Sequence, residues 1–173
     1  FAGGWLVAED DSNFAAHLVG ERVVPVRLFA REGADTFSER AGTKARKPDI
    51  ECAAVMAIDG APAAVFFGSG STAARTRAVV IGIDAGAPVA VRIADVSSLC
   101  DSARAVLGLS PGALNLEGAC RVGSVVRFFQ RGNAGATSEC VNASFDVRAD
   151  ALQQALVRDA LIEPAHIANV RRY

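Results

Sequence analysis

Residues 49–71 read DIECAAVMAIDGAPAAVFFGSGS. Two apolar runs, Cys52 to Ile58 and Ala63 to Phe67, flank the dipeptide Asp59-Gly60, and this arrangement is typical of a β-hairpin with a tight turn. The hairpin opens on an acidic segment and closes on a polar, glycine-rich loop: Asp49 to Glu51 and Gly68 to Ser71. Because antiparallel pairing brings the start of one strand beside the end of the next, we expect Glu51 to share a rim with that loop.

The same pattern returns further along the chain and is present in part at its start. In the second copy, Asn115-Leu116-Glu117 opens a strand, a turn at Val122-Gly123 follows, and the strand Val125 to Phe129 ends in the loop Gln130 to Asn133. In the partial copy, Trp5 to Ala8 runs into the polar segment Glu9 to Asn13. Glu51 and Glu117 are 66 residues apart, a long repeat that is workable if each unit carries an inserted helix or loop.

Short apolar segments at spacings of roughly 8–12 residues predict an all-β fold built from antiparallel sheets. Two helical insertions interrupt them: a capping box at Ser98 to Asp101 opens one helix that Gly108 closes, and Asp150 caps a second that Pro164 ends. We interpret residues 1–173 as one propeller-like domain of four-stranded blades, with units of about 1–46, 47–114 and 115–173. Since propellers usually have 4–8 blades, we expect this chain to be a fragment of a full ring, with the last residues, Ile167 to Tyr173, starting another unit.

Composition narrows the partners that this chain can have. Its 18 basic and 19 acidic residues nearly balance, and no long block of one sign occurs, which argues against nucleic acid and membrane partners. No apolar run reaches the ~18 residues of a membrane span. The four cysteines, Cys52, Cys100, Cys120 and Cys140, stand singly, which favours small buried thiols in a reducing cytoplasm over a zinc site or disulfide framework.

Three carboxylates are the candidate catalytic residues: Asp49, Glu51 and Glu117. If they converge at a channel mouth, they could bind a cation, or one could act as acid and the other as base once their pKa values separate. The competing interpretation is structural, with each carboxylate accepting backbone N–H bonds from its neighbouring turn and locking the edge of its unit. Both readings stay open at this level.

The polar loops supply the candidate ligand-binding residues, which are Asp10, Asp11, Asn13, Lys47, Ser69, Ser71, Arg75, Arg131 and Asn133. The Asp, Asn and Ser side chains are also standard turn formers. The arginines could clamp a carboxylate or phosphate in bidentate fashion, or pair with the glutamates across the rim. With His17 and His166 far apart and no G-x-S-x-G segment, histidine metal sites and serine-hydrolase elbows are excluded.

Five segments in this order resemble an uncharacterised family of bacterial propeller-like proteins, a domain of unknown function, from about Trp5 to Val147. The segments are Asp10 to Asn13, Lys47 to Glu51, Gly68 to Thr72 with Arg75, Asn115 to Ala119, and Gln130 to Asn133. More distantly, the acidic residue that opens a strand before a polar loop is similar to the esterase-like and phytase-like β-propellers. That resemblance implies a hydrolase, and by analogy Ca²⁺ as a cofactor, although the acidic clusters of true phytases are not evident here.

Two functions follow from these observations. The first is binding or hydrolysis of a small anionic or phosphorylated ligand at one rim of the blades, with a carboxylate activating water and arginines stabilising negative charge. The alternative is a non-enzymatic scaffold that holds a protein partner. Polar loops that bond only within themselves, with no pocket between them, would favour the scaffold. A cleft in which both acidic residues and an arginine face solvent would favour the site.

Overall fold

The computed structural model describes residues 4–30, 34–132 and 141–173. Within them the chain forms three antiparallel sheets and two short helices, which confirms the all-β class. The first sheet has three strands in chain order: β1 (Gly4–Ala8), β2 (Phe14–Val19) and β3 (Arg22–Arg27). None of the described helices is long and apolar enough to span a membrane.

The second and third sheets each have four strands, paired in chain order. The second comprises β4 (Ile50–Ile58), β5 (Ala61–Gly68), β6 (Arg77–Asp84) and β7 (Ala87–Asp95). The third comprises β8 (Leu116–Val122), β9 (Val125–Gln130), β10 (Ala143–Arg148) and β11 (Ile167–Arg172). The expectation that Ile167 to Tyr173 starts another unit was wrong, because β11 pairs with β10 and completes the third sheet.

The hairpin at the centre of the sequence forms as its turn residues dictate. Asp59 and Gly60 both have positive φ, 49° and 82°, as the two central positions of a type I′ turn require. They join β4 to β5 in a register that pairs Ile58 with Ala61. Asp and Gly adopt this backbone more readily than most residues, and so the sequence predicts this hairpin well.

Two helices connect strands of the second and third sheets. Helix α1 (Ser97–Leu107) follows β7 and ends at Gly108, whose φ of 62° is left-handed, as expected for a C-terminal glycine. The predicted capping box at Ser98 was wrong: Ser98 Oγ instead accepts a hydrogen bond from the Ile162 N–H at 3.1 Å.

Helix α2 (Ala149–Arg158) lies between β10 and β11. Arg148, and not Asp150, is its N-cap residue, and Asp150 falls in the first turn of the helix. The helix ends at Asp159 in a left-handed conformation, before Pro164. Sequence reasoning therefore found both helices, but it placed both N-caps two residues too late and the end of α2 at Pro164 instead of Asp159.

The two central strands of the second sheet, β5 and β6, are buried on both faces. Ala64 and Phe66 of β5 point into a core shared with the first unit, in which Ala15, Leu28 and Phe29 take part. The intervening side chains of β5 point the other way, into a core shared with both helices and the third sheet. There Phe67 meets Phe128 edge-on, with 5.1 Å between ring centroids. Strands buried on both faces read as continuous apolar runs, which explains the sequence of β5.

The outer face of the first sheet carries apolar side chains and faces solvent. The register places Trp5, Leu18 and Val23 side by side, and Val7, Ala16 and Pro25 in the next row. Trp5 is 77% exposed and Val23 is 64% exposed. We name these six side chains the outer apolar face.

Candidate functional site

The two glutamates occupy equivalent positions in the second and third sheets. In the β4–β5 ladder, Ile50 pairs with Gly68 and Cys52 with Phe67, so that Glu51 is the extra residue of a β-bulge. In the β8–β9 ladder, the pairs are Leu116 with Gln130 and Gly118 with Phe129, and Glu117 is the extra residue. Bulges locally redirect a side chain and are common beside functional sites.

Backbone hydrogen bonds hold the two bulges at one rim. Strands β4 and β8 are neighbours in space. The Ser69 N–H donates to the Asp49 carbonyl at 3.0 Å, and the corresponding N–H of Arg131 donates to the Asn115 carbonyl at 2.9 Å. The Leu116 N–H then donates to the Ser69 carbonyl at 2.9 Å, which ties one unit to the next. The side chains at these positions therefore surround one area, the carboxylate rim, which we define by Asp10, Lys47, Asp49, Glu51, Ser69, Arg75, Asn115, Glu117 and Arg131.

Asp49 is the hub of the ionic interactions at the rim. It is 4% exposed, and its φ of 56° is left-handed, a conformation that Asp tolerates better than most residues. One carboxylate oxygen lies 2.6 Å from Lys47 Nζ, and the other lies 3.1 Å from an Arg75 nitrogen and accepts a hydrogen bond from Ser69 Oγ at 2.5 Å. Burial disfavours the charged form, but the bonds from Lys47 and Ser69 and the two positive charges outweigh it and lower the pKa of Asp49.

Lys47 joins the partial first copy of the repeat to the second. Its ammonium group contacts the Asp10 carboxylate, and it also lies 3.5 Å from Asp11. Burial opposes its charge, yet the hydrogen bonds to Asp10 and Asp49 prevail and raise the pKa of Lys47. The Asp49 N–H donates to the Asp10 carbonyl at 3.2 Å, so that backbone and side chains fix the same junction.

The Gly68 to Ser71 loop is bonded internally. The N–H groups of Ser69, Gly70 and Ser71 donate to the Asp49 carbonyl, the Arg75 carbonyl and Ser69 Oγ respectively. Ser71 Oγ accepts a bond from Arg75 at 2.9 Å. These three N–H groups already have acceptors within the protein and are therefore not free to bind an anion.

Glu117 is held in place from two sides. Asn115 Nδ2 donates to its carboxylate at 2.7 Å, and Arg131 lies 2.9 Å from the same oxygen. The Arg131 side chain is 60% exposed, in contrast to the largely covered Arg75 and Lys47. The expectation that an arginine pairs with Glu117 across the rim is met by this contact, whereas Arg75 pairs with Asp49.

Glu51 differs from its neighbours because its side chain makes no hydrogen bond or ion pair within the described residues. It is partly buried. Burial raises the pKa of Glu51 to about 7, and the nearby charges of Glu117, Asp49 and Asp10 act in the same direction. Near neutral pH the rim therefore holds a carboxyl group that is present in both its neutral and its charged form.

Carboxylate oxygens of Asp10, Asp49 and Glu51 lie within 4.8 Å of one another, as the ligands of a cation would. Oxygen ligands of this kind suit Ca²⁺. However, the Lys47 ammonium group already contacts Asp10 and Asp49 and supplies positive charge at this position. A metal ion would have to displace it.

The remaining candidates lie apart from the rim or outside the described residues. Asn13 is buried, and its side chain donates to the Ala34 carbonyl at 3.0 Å, which is a long-range bond and not the local bond of a turn former. Asn133 falls outside the described residues. Sequence reasoning did not select Asn115. Its position was the available signal, because Asn115 precedes Glu117 by two residues, as Asp49 precedes Glu51.

One comparison with known proteins gives a match. The family described as a family of unknown function (DUF6929) matches residues 1–171, and the chain therefore belongs to it. No curated protein and no solved structure shows significant similarity to the chain. Because the family description names no activity, function has to be argued from the geometry of the rim.

Proposed function

For this member of DUF6929 we propose that the carboxylate rim binds a small polar ligand and hydrolyses it, with Glu51 and Glu117 as an acid–base pair. The observation that carries the proposal is the pair of equivalent bulges, which bring an unpaired Glu51 beside a fixed Glu117. Two carboxyl groups in different environments are the usual means by which one site holds both an acid and a base.

The roles of the two glutamates follow from their contacts. Glu51, whose carboxyl group carries a proton for much of the time near neutral pH, would donate it to the leaving group. The Glu117 carboxylate, oriented by Asn115 and Arg131, would accept a proton from the attacking water. Water thus adds its hydroxyl group to the ligand, and proton exchange with solvent returns both glutamates to their starting states.

A ligand with a phosphate or carboxylate group fits this rim at one position. Lys47 and Arg75 are engaged with Asp49, so that their charge is largely neutralised within the protein. Arg131 is the more exposed guanidinium group, and it can turn toward an anionic group while remaining near Glu117. Specificity for phosphorylated ligands would then depend on Arg131.

The architecture that we propose for the whole protein is a β-propeller, distantly similar to the phytase-like ones. Two observations support it: the strands of each four-stranded sheet follow chain order, and the second sheet packs against neighbouring units on both faces. In such an arrangement β4 and β8 would be the innermost strands, and the rim would lie at the mouth of the central channel.

A non-enzymatic scaffold is the second candidate. The specific observation that favours it is that Lys47, Ser69 and Arg75 all bond to Asp49. These polar side chains thereby hold the units together and are not available to a ligand. The outer apolar face adds a surface that a protein partner could cover.

A thermal-shift and turnover experiment separates these candidates. The thermal-shift screen uses inorganic phosphate, phosphorylated sugars, small carboxylates and CaCl₂. Hydrolysis is followed with p-nitrophenyl phosphate and p-nitrophenyl acetate. We expect a stabilising shift with at least one anionic ligand and turnover that Glu51→Gln and Glu117→Gln abolish. Glu21→Gln, at an exposed turn, is the matched control.

The outcomes are separable. A shift that persists in Arg131→Gln would place binding elsewhere and contradict the proposal, as would the absence of any shift or turnover. A shift with CaCl₂ alone would mean that the ion displaces Lys47, and it would replace acid–base chemistry with cation binding.

A further inference from the structure

We propose that a second cavity, separate from the carboxylate rim, binds a small organic carboxylate with one ring or a short apolar chain. We name it the arginine pocket and define it by Asn13, Phe29, Phe37, Arg46, Ala74 and Arg77, which line it. Its volume is about 180 Å³. The proposal does not depend on the chemistry proposed for Glu51 and Glu117.

The walls of the arginine pocket are fixed by backbone bonds. After β3 the chain turns inward, and the N–H groups of Leu28 and Phe29 both donate to the Asn13 carbonyl, at 2.8 and 3.4 Å. The Asn13 N–H donates to the Asp35 carbonyl at 2.9 Å, and the Phe37 N–H donates to the Asp11 carbonyl at 2.9 Å. The loop that carries Phe37 is thereby fastened to the first sheet, so that the cavity is formed before any ligand arrives.

The charge of the pocket is positive. Arg46 and Arg77 both line it, and none of the described lining residues is acidic. Arg77 lies over the Phe29 ring, 4.7 Å from its centroid, and its Nε donates to the Ala74 carbonyl at 3.2 Å. Within the described residues, neither arginine forms an ion pair, whereas Arg27, Arg75, Arg127 and Arg131 each do. Two guanidinium groups without a carboxylate partner are suited to an anion.

The rest of the lining is apolar. Phe29 is 3% exposed and Phe37 is 6% exposed, so that both side chains belong to the wall of the pocket and not to the outer surface of the protein. A cavity of about 150 Å³ in another protein holds benzene, which makes this volume suitable for a single ring or a short chain and too small for a nucleotide. An apolar wall combined with two cations selects a ligand with an apolar body and one anionic end, since pockets of this kind orient ligands through a few polar groups.

Benzoate is the probe that tests the pocket, by saturation-transfer NMR and titration. We expect binding in the millimolar range, as suits about nine non-hydrogen atoms. Benzamide, which has the same shape without the charge, should bind at least about tenfold more weakly, because it forms no charge-assisted hydrogen bonds. Acetate should also bind more weakly, since it lacks the ring.

Variants assign the binding to this cavity. Arg46→Gln and Arg77→Gln should each weaken benzoate binding about tenfold or more, while Arg40→Gln, on the same loop but outside the lining, leaves it unchanged. Arg46 is exposed, so that its loss tests the pocket without disturbing the fold, and Arg77→Lys retains the charge over Phe29. Glu51→Gln should leave benzoate binding intact, which separates this site from the rim.

Equal binding of benzoate and benzamide would overturn the proposal. So would unchanged benzoate binding in Arg46→Gln, or no saturation transfer at millimolar benzoate. Phenyl phosphate is the remaining arm: if it binds and benzoate does not, the carboxylate class is wrong.

Discussion

At the scale of single residues, Asp49 ties neighbouring segments together through both its backbone and its side chain. It accepts a hydrogen bond through its backbone carbonyl as a turn residue does, and its side chain also gathers Lys47, Ser69 and Arg75. A buried carboxylate with two cationic partners is costly to alter, because each partner is left without its counter-charge.

We predict that Asp49→Asn lowers the free energy of unfolding by about 3 kcal/mol at pH 7. Asn keeps the size of the side chain and tolerates positive φ, so that the loss reports the charge alone. The pKa of Asp49 is lowered, and its contribution is therefore complete above its ordinary value of 3.8 and disappears as the pH falls further. Chemical denaturation at pH 7 and pH 3 measures both effects.

The control is Glu39→Gln, which removes an exposed ion pair with Lys44. We expect that variant to lose little stability, because exposed ion pairs contribute little. Equal losses in the two variants would contradict the role of Asp49 as a buried hub.

Glu51 gives a prediction of opposite sign. Because its pKa is raised from 4.5 to about 7, the folded state binds a proton more tightly than the unfolded state, and stability from this group is full below pH 4.5 and lost by pH 7 and above. Glu51→Gln removes that loss. Relative to the wild type, the variant should gain about 2 kcal/mol of unfolding free energy between pH 4.5 and pH 8, a figure reduced for partial exposure from about 1.36 kcal/mol per pKa unit.

Urea denaturation of both proteins at pH 4.5 and pH 8 provides the test. Because the two proteins share all other titrating groups, the contributions of those groups cancel in the difference between their unfolding free energies. A difference that stays constant with pH would show that Glu51 titrates at its ordinary value.

At the scale of elements, the hairpins were predictable and the bulges were not. Asp-Gly between apolar runs dictates a turn, and the strands on either side follow from apolar pattern. A bulge depends on which residue is left unpaired, and this depends on how neighbouring sheets meet. The sequence therefore predicted that Glu51 and Glu117 lie at one edge. It did not indicate that both residues form bulges in their strand pairs, or that Arg75 would form its ion pair with Asp49.

Gly68, the last residue of β5, lies very close to the backbone of Arg75 and Pro48. A Cβ atom at this position would lie 2.3 Å from the Arg75 carbonyl oxygen and 3.1 Å from that of Pro48, and both are backbone atoms that cannot turn aside. We predict that Gly68→Ala lowers the free energy of unfolding by about 2 kcal/mol or more, as overpacking does.

Gly82→Ala in β6 is the matched control, since its Cβ would meet nothing nearer than 3.6 Å. Thermal denaturation of the two variants provides the comparison. An unchanged melting temperature in Gly68→Ala would mean that β5 and the 73–75 turn can separate without cost.

At the scale of the whole molecule, the sequence predicted an all-β fold and most of the strands, because apolar periodicity is local. It did not predict which faces meet, since packing between sheets joins residues far apart in the chain. The cysteines illustrate the difference. We expected buried thiols, and Cys52 and Cys100 are buried in the core between the second and third sheets, but Cys120 is exposed and Cys140 lies outside the described residues.

Thiol labelling of the native protein follows from this placement. Burial raises the pKa of Cys52, and burial together with nearby acidic residues raises the pKa of Cys100 to about 12, so that neither presents a thiolate. We predict that iodoacetamide modifies Cys120 under native conditions, and Cys52 and Cys100 only after denaturation. Peptide mass spectrometry distinguishes the sites, and native modification of Cys100 would show that the core opens more readily than its packing implies.

The outer apolar face gives this protein an optical property. Its single tryptophan is Trp5, and the indole ring stands in water on the first sheet, far along the chain from both glutamates. Indole emission moves to shorter wavelength when solvent leaves the ring. The chain thus carries its own fluorophore at a surface where another sheet or protein could stack. The wavelength of its emission maximum reports whether that surface is covered, without any added label.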